Sequence, residues 1–271
     1  MSAINNDIKR FAVFYFASFA LYFLWSCWYG LTFSQIEPVF FYNQLDLTGN
    51  ALLLTKVHFS LIQNKTTQII FDVLYIVLPA VMTVSVLRNR RYQVPTAILV
   101  LLFNLVYAFC FSILSFLSVT IMLAFMTVPF VIIFRRAKDF YFAKDVMRLL
   151  FIIFFFSTAI WKIRAGGIFN LDQMAGVLVT QHNYLLLDNN SGFFRNLITY
   201  LIEYPRLSFS LYLAAFIAEF SFIAGLFTKK YDRYLLFIFL AFALFNYLTM
   251  RINYFSWFPF LACLHLSKQR K

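Results

Sequence analysis

Charged side chains are scarce in this chain. Asp, Glu, Lys and Arg make up only 13% of its 271 residues, whereas an average soluble domain contains about 25%. Apolar residues account for 62%, and phenylalanine alone occurs 38 times. This shortage of charge excludes an ordinary soluble domain, so the chain is predicted to fold in a lipid bilayer.

Cysteine, glycine and proline are also rare. The three cysteines, Cys27, Cys110 and Cys263, lie inside apolar runs without a CxxC or His/Cys pattern, which argues against disulfides and against a metal site. No Gly/Ser-rich linker, internal repeat or low-complexity tail is present, so residues 1–271 are predicted to form one membrane domain. The halves also lack the paired Gly/Pro-broken helices typical of many transporters.

Long apolar runs dominate what remains. A helix needs about 20 apolar residues to cross about 30 Å of hydrocarbon, and on this measure we predict an all-α, polytopic bundle with eight spans. Residues 94–134 contain no charge and are about twice too long for one span, so they are predicted to turn near Ser115 to Ser118. The predicted spans are 11–33, 67–87, 94–115, 117–134, 148–163, 206–227, 234–250 and 252–267.

The basic residues predict the orientation of these spans. With the N-terminus in the cytoplasm, sixteen of the 23 Lys and Arg residues fall on the cytoplasmic side, and every inner loop is basic. Both termini are therefore predicted to be cytoplasmic. The net charge of +12 is spread in small groups at the ends of apolar runs, which is typical of topology signals and argues against nucleic-acid binding.

Two segments on the predicted outer side, 34–66 and 165–205, mix apolar and polar residues at helical spacing. This pattern is typical of helices that lie along the membrane interface. We therefore expect both segments to cap the outer ends of the spans, with 165–205 closing an outward-facing pocket.

Ionisable residues inside apolar runs are the candidate functional residues, because each costs about 2.5 to 3.5 kcal/mol on insertion scales. Lys162, beside Trp161 at the outer end of the fifth span, is interpreted either as an interfacial anchor or as a desolvated general base. Glu219, midway in the sixth span and predicted to lie deeper, is either a neutral hydrogen-bonding acid or a proton relay. Arg251 is either an anchor or a substrate clamp.

Three further polar residues complete the candidate set. Asp72 in the second span is predicted to reach the outer third of the bilayer, at the level of Lys162, and Asn246 is an uncharged addition in the seventh span. His182 lies in the predicted cap and is either an acid/base group or an ordinary interfacial histidine. The other two histidines, His58 and His265, have no partners at metal-ligand spacing.

The segment FIIFFFSTAIWKIRAGGIFNLDQM, residues 151–174, resembles the vitamin K-dependent γ-carboxylases and their bacterial relatives, the horizontally transferred transmembrane (HTTM) proteins. The likeness extends more loosely over residues 67–266, and small DoxX-like redox membrane proteins share much of it. It implies that Lys162 occupies the position of the base that deprotonates a quinol. This chain lacks an Asn-His pair between the third and fourth spans, carries Asn246 where a histidine is expected, and has no extracytoplasmic β-rich domain. These departures argue against glutamate carboxylation.

Two functions follow as expectations. The first is a multi-pass protein of the bacterial cytoplasmic (inner) membrane whose outward-facing pocket uses Lys162 as a base. Arg251, Asn246, Asp72, Trp161, His182 and Glu219 would bind substrate, which would be a quinone or quinol, a lipid or a secreted, membrane-associated peptide. The alternative is a non-catalytic assembly subunit of a complex with other membrane proteins, in which the polar residues hold helices together.

Overall fold

The computed structural model describes residues 2–40, 47–88, 90–115, 122–187 and 192–265. All regular secondary structure in these ranges is helical. Short 3₁₀ helices occupy Arg90–Tyr92, Gly167–Phe169, Ser221–Ile223 and Phe255–Phe260. The α-helices are α1 Ser2–Trp28, α2 Leu47–Thr55, α3 Val57–Gln63, α4 Lys65–Arg88, α5 Gln93–Ser115, α6 Leu123–Thr127, α7 Pro129–Ile133, α8 Ala137–Arg164, α9 Gln173–Gln181, α10 Asn183–Leu187, α11 Phe193–Glu203, α12 Pro205–Phe220, α13 Ala224–Phe227, α14 Asp232–Met250 and α15 Leu261–His265.

Six helical segments in the described ranges are long and apolar enough to cross a bilayer. They correspond to six of the predicted spans, and they confirm a helical, multi-pass membrane protein. Their outward-facing side chains are largely apolar, as expected of helices that contact lipid. The six segments are Ile4–Trp28, Lys65–Arg88, Gln93–Ser115, Ala137–Arg164, Pro205–Phe227 and Asp232–Met250.

The other two predicted spans, 117–134 and 252–267, are not single long helices. Their described parts contain only the shorter apolar stretches Leu123–Ile133 and Phe255–His265. The count of eight full-length spans is therefore not reproduced, because apolar length does not guarantee an unbroken helix. The predicted turn near Ser115 to Ser118 lies mostly outside the described residues.

Proline explains the break between α6 and α7. Pro129 has no N–H, so the carbonyl of Phe125, four residues earlier, cannot receive its helical hydrogen bond. The Asn104 amide donates to this carbonyl at 2.8 Å, and the Tyr15 hydroxyl donates to it at 3.2 Å. Both donors are buried and belong to the neighbouring helices α5 and α1. Asn104 thus satisfies a backbone group that would otherwise cost several kcal/mol in lipid.

The broken segment still returns the chain along α5. Asn104 of α5 contacts Phe125, and Gln93 at the start of α5 donates to the carbonyl of Ile132. The Arg135 guanidinium then donates to the carbonyl of Arg91. The basic turns before α5 and before α8 therefore lie at the same end of this helix group, as the charge pattern predicts.

Contacts within the chain divide it into two compact units. Unit 1 comprises Met1–Met147 and Phe255–Leu266, and unit 2 comprises Arg148–Tyr254 and Ser267–Lys271. The division falls inside α8, which is continuous through it. A sequence search for linkers finds no boundary here, because no glycine, proline or polar stretch marks it.

Both predicted cap segments contain short helices. In unit 1, α2 and α3 pack against α4 and α5. In unit 2, α9 and α11 pack against each other and against α12. The contact among α9, α11 and α12 has its own buried core, consisting of Met174, Leu178, Ile198, Leu201 and Tyr212. Amphipathic segments that cannot cross the bilayer thus bury their apolar faces against the long helices.

Candidate functional site

Lys162 forms an ion pair with Glu219 in unit 2. The Nζ atom of Lys162 lies 2.8 Å from Oε2 of Glu219. The lysine side chain is 22% exposed, whereas the glutamate side chain is only 5% exposed. Lys162 is therefore paired with an acidic side chain, and the charged ends of Lys162 and Glu219 meet, whereas the sequence places Glu219 deeper than Lys162. The two share one site because α8 and α12 bring them together.

Tyr212 forms another wall of this site. Tyr212 precedes Glu219 by seven residues on α12, so both side chains project from the same helix face. The Lys162 ammonium lies 5.1 Å from the centre of the Tyr212 ring. This distance is within the range of a cation–π contact, in which the negative face of the ring attracts the ammonium.

Two glycines shape the turn that follows Lys162. Gly166 has a φ of 73°, which is in the left-handed region that glycine adopts without strain, and it ends α8. Gly167 packs so closely under Tyr212 that an added Cβ would clash with the tyrosine hydroxyl. The backbone that follows Lys162 can therefore pack directly against Tyr212, the residue whose ring contacts the lysine.

Tyr254 contributes a buried phenol on another side of the site. Burial, and to a lesser extent the Glu219 carboxylate, raise the pKa of Tyr254 to about 12. The ring packs against Phe242 at a centroid distance of 5.3 Å. Near neutral pH, Tyr254 therefore remains protonated and available only as a neutral hydrogen-bonding group.

A second ion pair joins α8 to α14. The Arg148 guanidinium binds both carboxylate oxygens of Asp232, at 2.6 and 2.5 Å. It also donates to the carbonyls of Gly225 and Thr228 at 2.8 and 3.0 Å. Both side chains are nearly inaccessible to solvent, with exposures of 3% and 2%. This arrangement engages four acceptor oxygens and resembles a fixed structural clamp.

The predicted cap segment, residues 165–205, contacts the end of α14 at three places. Nε2 of His182 lies 2.9 Å from the Thr249 carbonyl, and the Gln181 amide donates to the Met250 carbonyl at 3.2 Å. The Arg251 guanidinium stacks over the ring of Phe194 at 4.2 Å. His182 and Arg251 thus hold the cap in place, and neither contacts Lys162 through a described interaction.

The remaining predicted residues have other partners. Asn246 donates to the Phe242 carbonyl of its own helix at 2.8 Å. The Trp161 side chain is 63% exposed, and its ring lies 5.3 Å from the Arg164 guanidinium. Neither arrangement directs a polar group toward Lys162.

Asp72 belongs to unit 1, and its carboxylate accepts three hydrogen bonds there. Its carboxylate accepts the backbone N–H groups of Phe33 and Ser34 at 3.2 and 2.7 Å, and the hydroxyl of Tyr107 at 2.9 Å. Asp72 is 5% exposed. Three donors satisfy the oxygens of this buried carboxylate and fix the turn that follows α1, so its described contacts are structural.

Tyr212, Gly167 and the Arg148–Asp232 pair were not predicted as parts of a site. The spacing of seven residues between Tyr212 and Glu219 is a usable signal, because it places both on one helix face. The charge pattern counts Arg148 among the sixteen basic residues on the cytoplasmic side, and its acidic partner lies 84 residues away in the sequence. No pattern in the sequence identifies a partner at that separation.

The described residues contain no group of three or more His, Cys, Asp or Glu side chains that could hold a metal ion. In comparisons with known proteins, no protein-family model, no curated protein and no solved structure matches this chain.

Proposed function

We propose that the protein is a multi-pass enzyme of the bacterial cytoplasmic membrane in which Lys162 exchanges a proton with a substrate held in the bilayer. The observation that carries this proposal is the asymmetric ion pair of Lys162 and Glu219. One member is almost completely buried, while the other retains an accessible fraction of 22%. An acid–base group must be both held in place and reachable, and Lys162 meets both requirements.

The hydrogen-bonding capacity of the lysine supports this assignment. An ammonium group has three N–H donors, and one contact with Glu219 leaves others available. The Tyr212 ring occupies a further side of the ammonium. A substrate oxygen that approached from the accessible side would meet Lys162 first and Glu219 second. Lys162, as the ammonium, would donate a proton to that oxygen and become a neutral amine, and the negative charge of Glu219 would stabilise the protonated substrate until the amine takes up a proton again.

The substrate class follows from the resemblance to the HTTM and γ-carboxylase-like proteins. A quinol, a lipid or a membrane-associated peptide would each present a polar group from the lipid phase. The cap formed by α9 to α11 packs on the N-terminal part of α12, close to Tyr212, and so adjoins the site. A quinone would act here as a substrate or cosubstrate.

The second candidate function is that of a non-catalytic subunit, and the Arg148–Asp232 pair favours it. That pair demonstrates that this chain uses buried charges to hold long helices together. If Lys162 and Glu219 act in the same way, their role is structural and the accessible lysine surface meets another membrane protein.

The substitution Lys162→Met tests the two functions because it keeps the length of the side chain and removes the amine. We would purify the wild-type and variant proteins from native membranes and identify retained small molecules by mass spectrometry. For an enzyme, Lys162→Met should accumulate a molecule in its unreacted form, whereas the wild type should retain less of it or the product. Arg164→Met is the matched control, since it removes a cation two residues away that has no acidic partner in the described residues.

The double variant Lys162→Met/Glu219→Gln separates chemistry from folding. It removes the amine without leaving an unpaired carboxylate in the buried position. If the well-folded double variant retains the same molecules as the wild type in the same form, Lys162 has no acid–base role. Loss of a co-purifying membrane protein in that variant would instead support the assembly function.

A further inference from the structure

A groove with a volume of about 400 Å³ runs along α4 in unit 1. Its walls are almost entirely apolar for most of its length, because the helix presents Val77, Val81 and Val84 on one face. These three side chains are 42%, 46% and 49% exposed. The groove then ends at the polar side chains of Arg88 and Tyr92.

The length of this groove corresponds to one leaflet of a bilayer. From Val77 to Arg88 the helix advances eleven residues, or about 16 Å at 1.5 Å per residue. Half of a hydrocarbon core of about 30 Å is about 15 Å. A chain that began beside Arg88 and followed the groove would therefore end near the middle of the membrane.

The polar end of the groove has unused donors. Within the described residues, neither the Arg88 guanidinium nor the Tyr92 hydroxyl has a hydrogen-bond or ion-pair partner, and both side chains are exposed. Two more basic residues lie at this end, since the exposed Arg135 donates to the carbonyl of Arg91. An anion at this position would meet a guanidinium able to bind a phosphate through two parallel hydrogen bonds.

We propose that this groove binds one anionic phospholipid, with an acyl chain along Val77, Val81 and Val84 and the headgroup phosphate on Arg88 and Tyr92. The apolar walls, the length and the terminal positive charge each match a different part of that molecule. A free phosphate would use only the polar end, and a zwitterionic lipid would gain less from the basic cluster. Polybasic sites at a membrane surface attract anionic lipids by this electrostatic mechanism.

Lipid titration of the purified full-length protein, followed by native mass spectrometry, tests the proposal. The probes are phosphatidylglycerol and phosphatidylcholine with identical acyl chains. Arg88→Gln should weaken phosphatidylglycerol binding about fivefold, since a basic residue contributes about 1 kcal/mol to such binding, and should weaken phosphatidylcholine binding by a smaller factor. Val84→Phe should fill the groove and weaken the binding of both lipids.

Lys138→Gln is the matched control. Lys138 is exposed on α8 three residues after Arg135 and does not line the groove, but its substitution removes the same charge. A fivefold loss in this control would mean that the selectivity comes from the general surface potential, and the proposed site would be wrong. Displacement of phosphatidylglycerol by equimolar inorganic phosphate would also contradict it. So would a protein dimer that Val84→Phe dissociates, because a second copy would then occupy the groove.

Discussion

The two ion pairs of α8 differ in the number of contacts that the cation makes and in its exposure to solvent. Arg148 binds Asp232 through two contacts and also binds two backbone carbonyls, in surroundings that leave 3% of its side chain exposed. Lys162 makes one contact with Glu219, rests against the Tyr212 ring and remains 22% exposed. Both cations lie on the same helix, 14 residues apart.

The number of fixed partners distinguishes a cation that only stabilises the fold from one that retains hydrogen-bond donors for a ligand. A guanidinium held by four contacts to fixed protein acceptors is costly to remove. An ammonium with one fixed partner retains donors for a substrate at a smaller cost to stability. Burial alone does not distinguish the two roles, since both acids are almost fully buried.

The largest effect is expected for Arg148→Met. This change leaves the buried Asp232 carboxylate without its counter-ion and two carbonyls without their donor, so we expect a loss of about 3 to 5 kcal/mol in the free energy of unfolding. Denaturant-induced unfolding in detergent micelles would measure it. Arg148→Met/Asp232→Leu should recover much of the loss. If it does not, the unpaired charge is not the cause.

A smaller effect is expected for Gly167→Ala. The new methyl group would overlap the Tyr212 hydroxyl, and overpacking of this kind costs about 1 to 3 kcal/mol. Thermal unfolding of the purified protein would detect the loss. Tyr212→Phe removes the clashing oxygen, so the double variant should be more stable than Gly167→Ala alone. Equal stability of the two would show that Gly167 does not pack against this hydroxyl.

Lys162→Met should destabilise the protein less than Arg148→Met does, by about 1 to 2 kcal/mol. The reason is that Lys162 makes a single ion-pair contact and is partly accessible to solvent. The same denaturant titration gives both values on one scale. Arg164→Met, which removes an exposed cation, should change the free energy by less than about 0.5 kcal/mol. If Lys162→Met and Arg148→Met lower the free energy of unfolding equally, the Lys162–Glu219 pair has a structural role, which favours the assembly function.

The smallest effect is expected for Arg251→Met. Its guanidinium stacks on Phe194 at a partly exposed position, where a cation–π contact contributes about 0.5 to 1 kcal/mol. Hydrogen exchange of α9 to α11 should become modestly faster, because this contact helps to attach the cap to the end of α14. Unchanged exchange in these helices would show that His182 and Gln181 are sufficient to attach it.

The long helices were predictable because the bilayer imposes a simple rule on the sequence. Six apolar runs became helices of the required length, with ends at most eleven residues from the predicted ones. The same rule did not predict the helix break within 122–134, since hydropathy does not register a missing N–H at Pro129. The donors that compensate for the break, Tyr15 and Asn104, come from two other helices.

The candidate site was predictable only one residue at a time. Lys162, Glu219 and Arg251 each stand out because charge in an apolar run is costly. Their relations to one another are not encoded locally. Glu219 was assigned to a deeper level than Lys162 because helix position was counted from the predicted membrane edge. The contact of 2.8 Å depends instead on how far α12 is shifted along α8.

The amino-acid sequence by itself determined that this protein folds in lipid and which segments form its long helices. It also identified the few ionisable residues that lie inside apolar runs. These properties depend on composition and on runs of neighbouring residues. The tertiary structure decided which charge pairs with which, since an ion pair forms only where two helices meet in the correct register and rotation. That register gave Arg148 four acceptor oxygens and left Lys162 with one acidic partner.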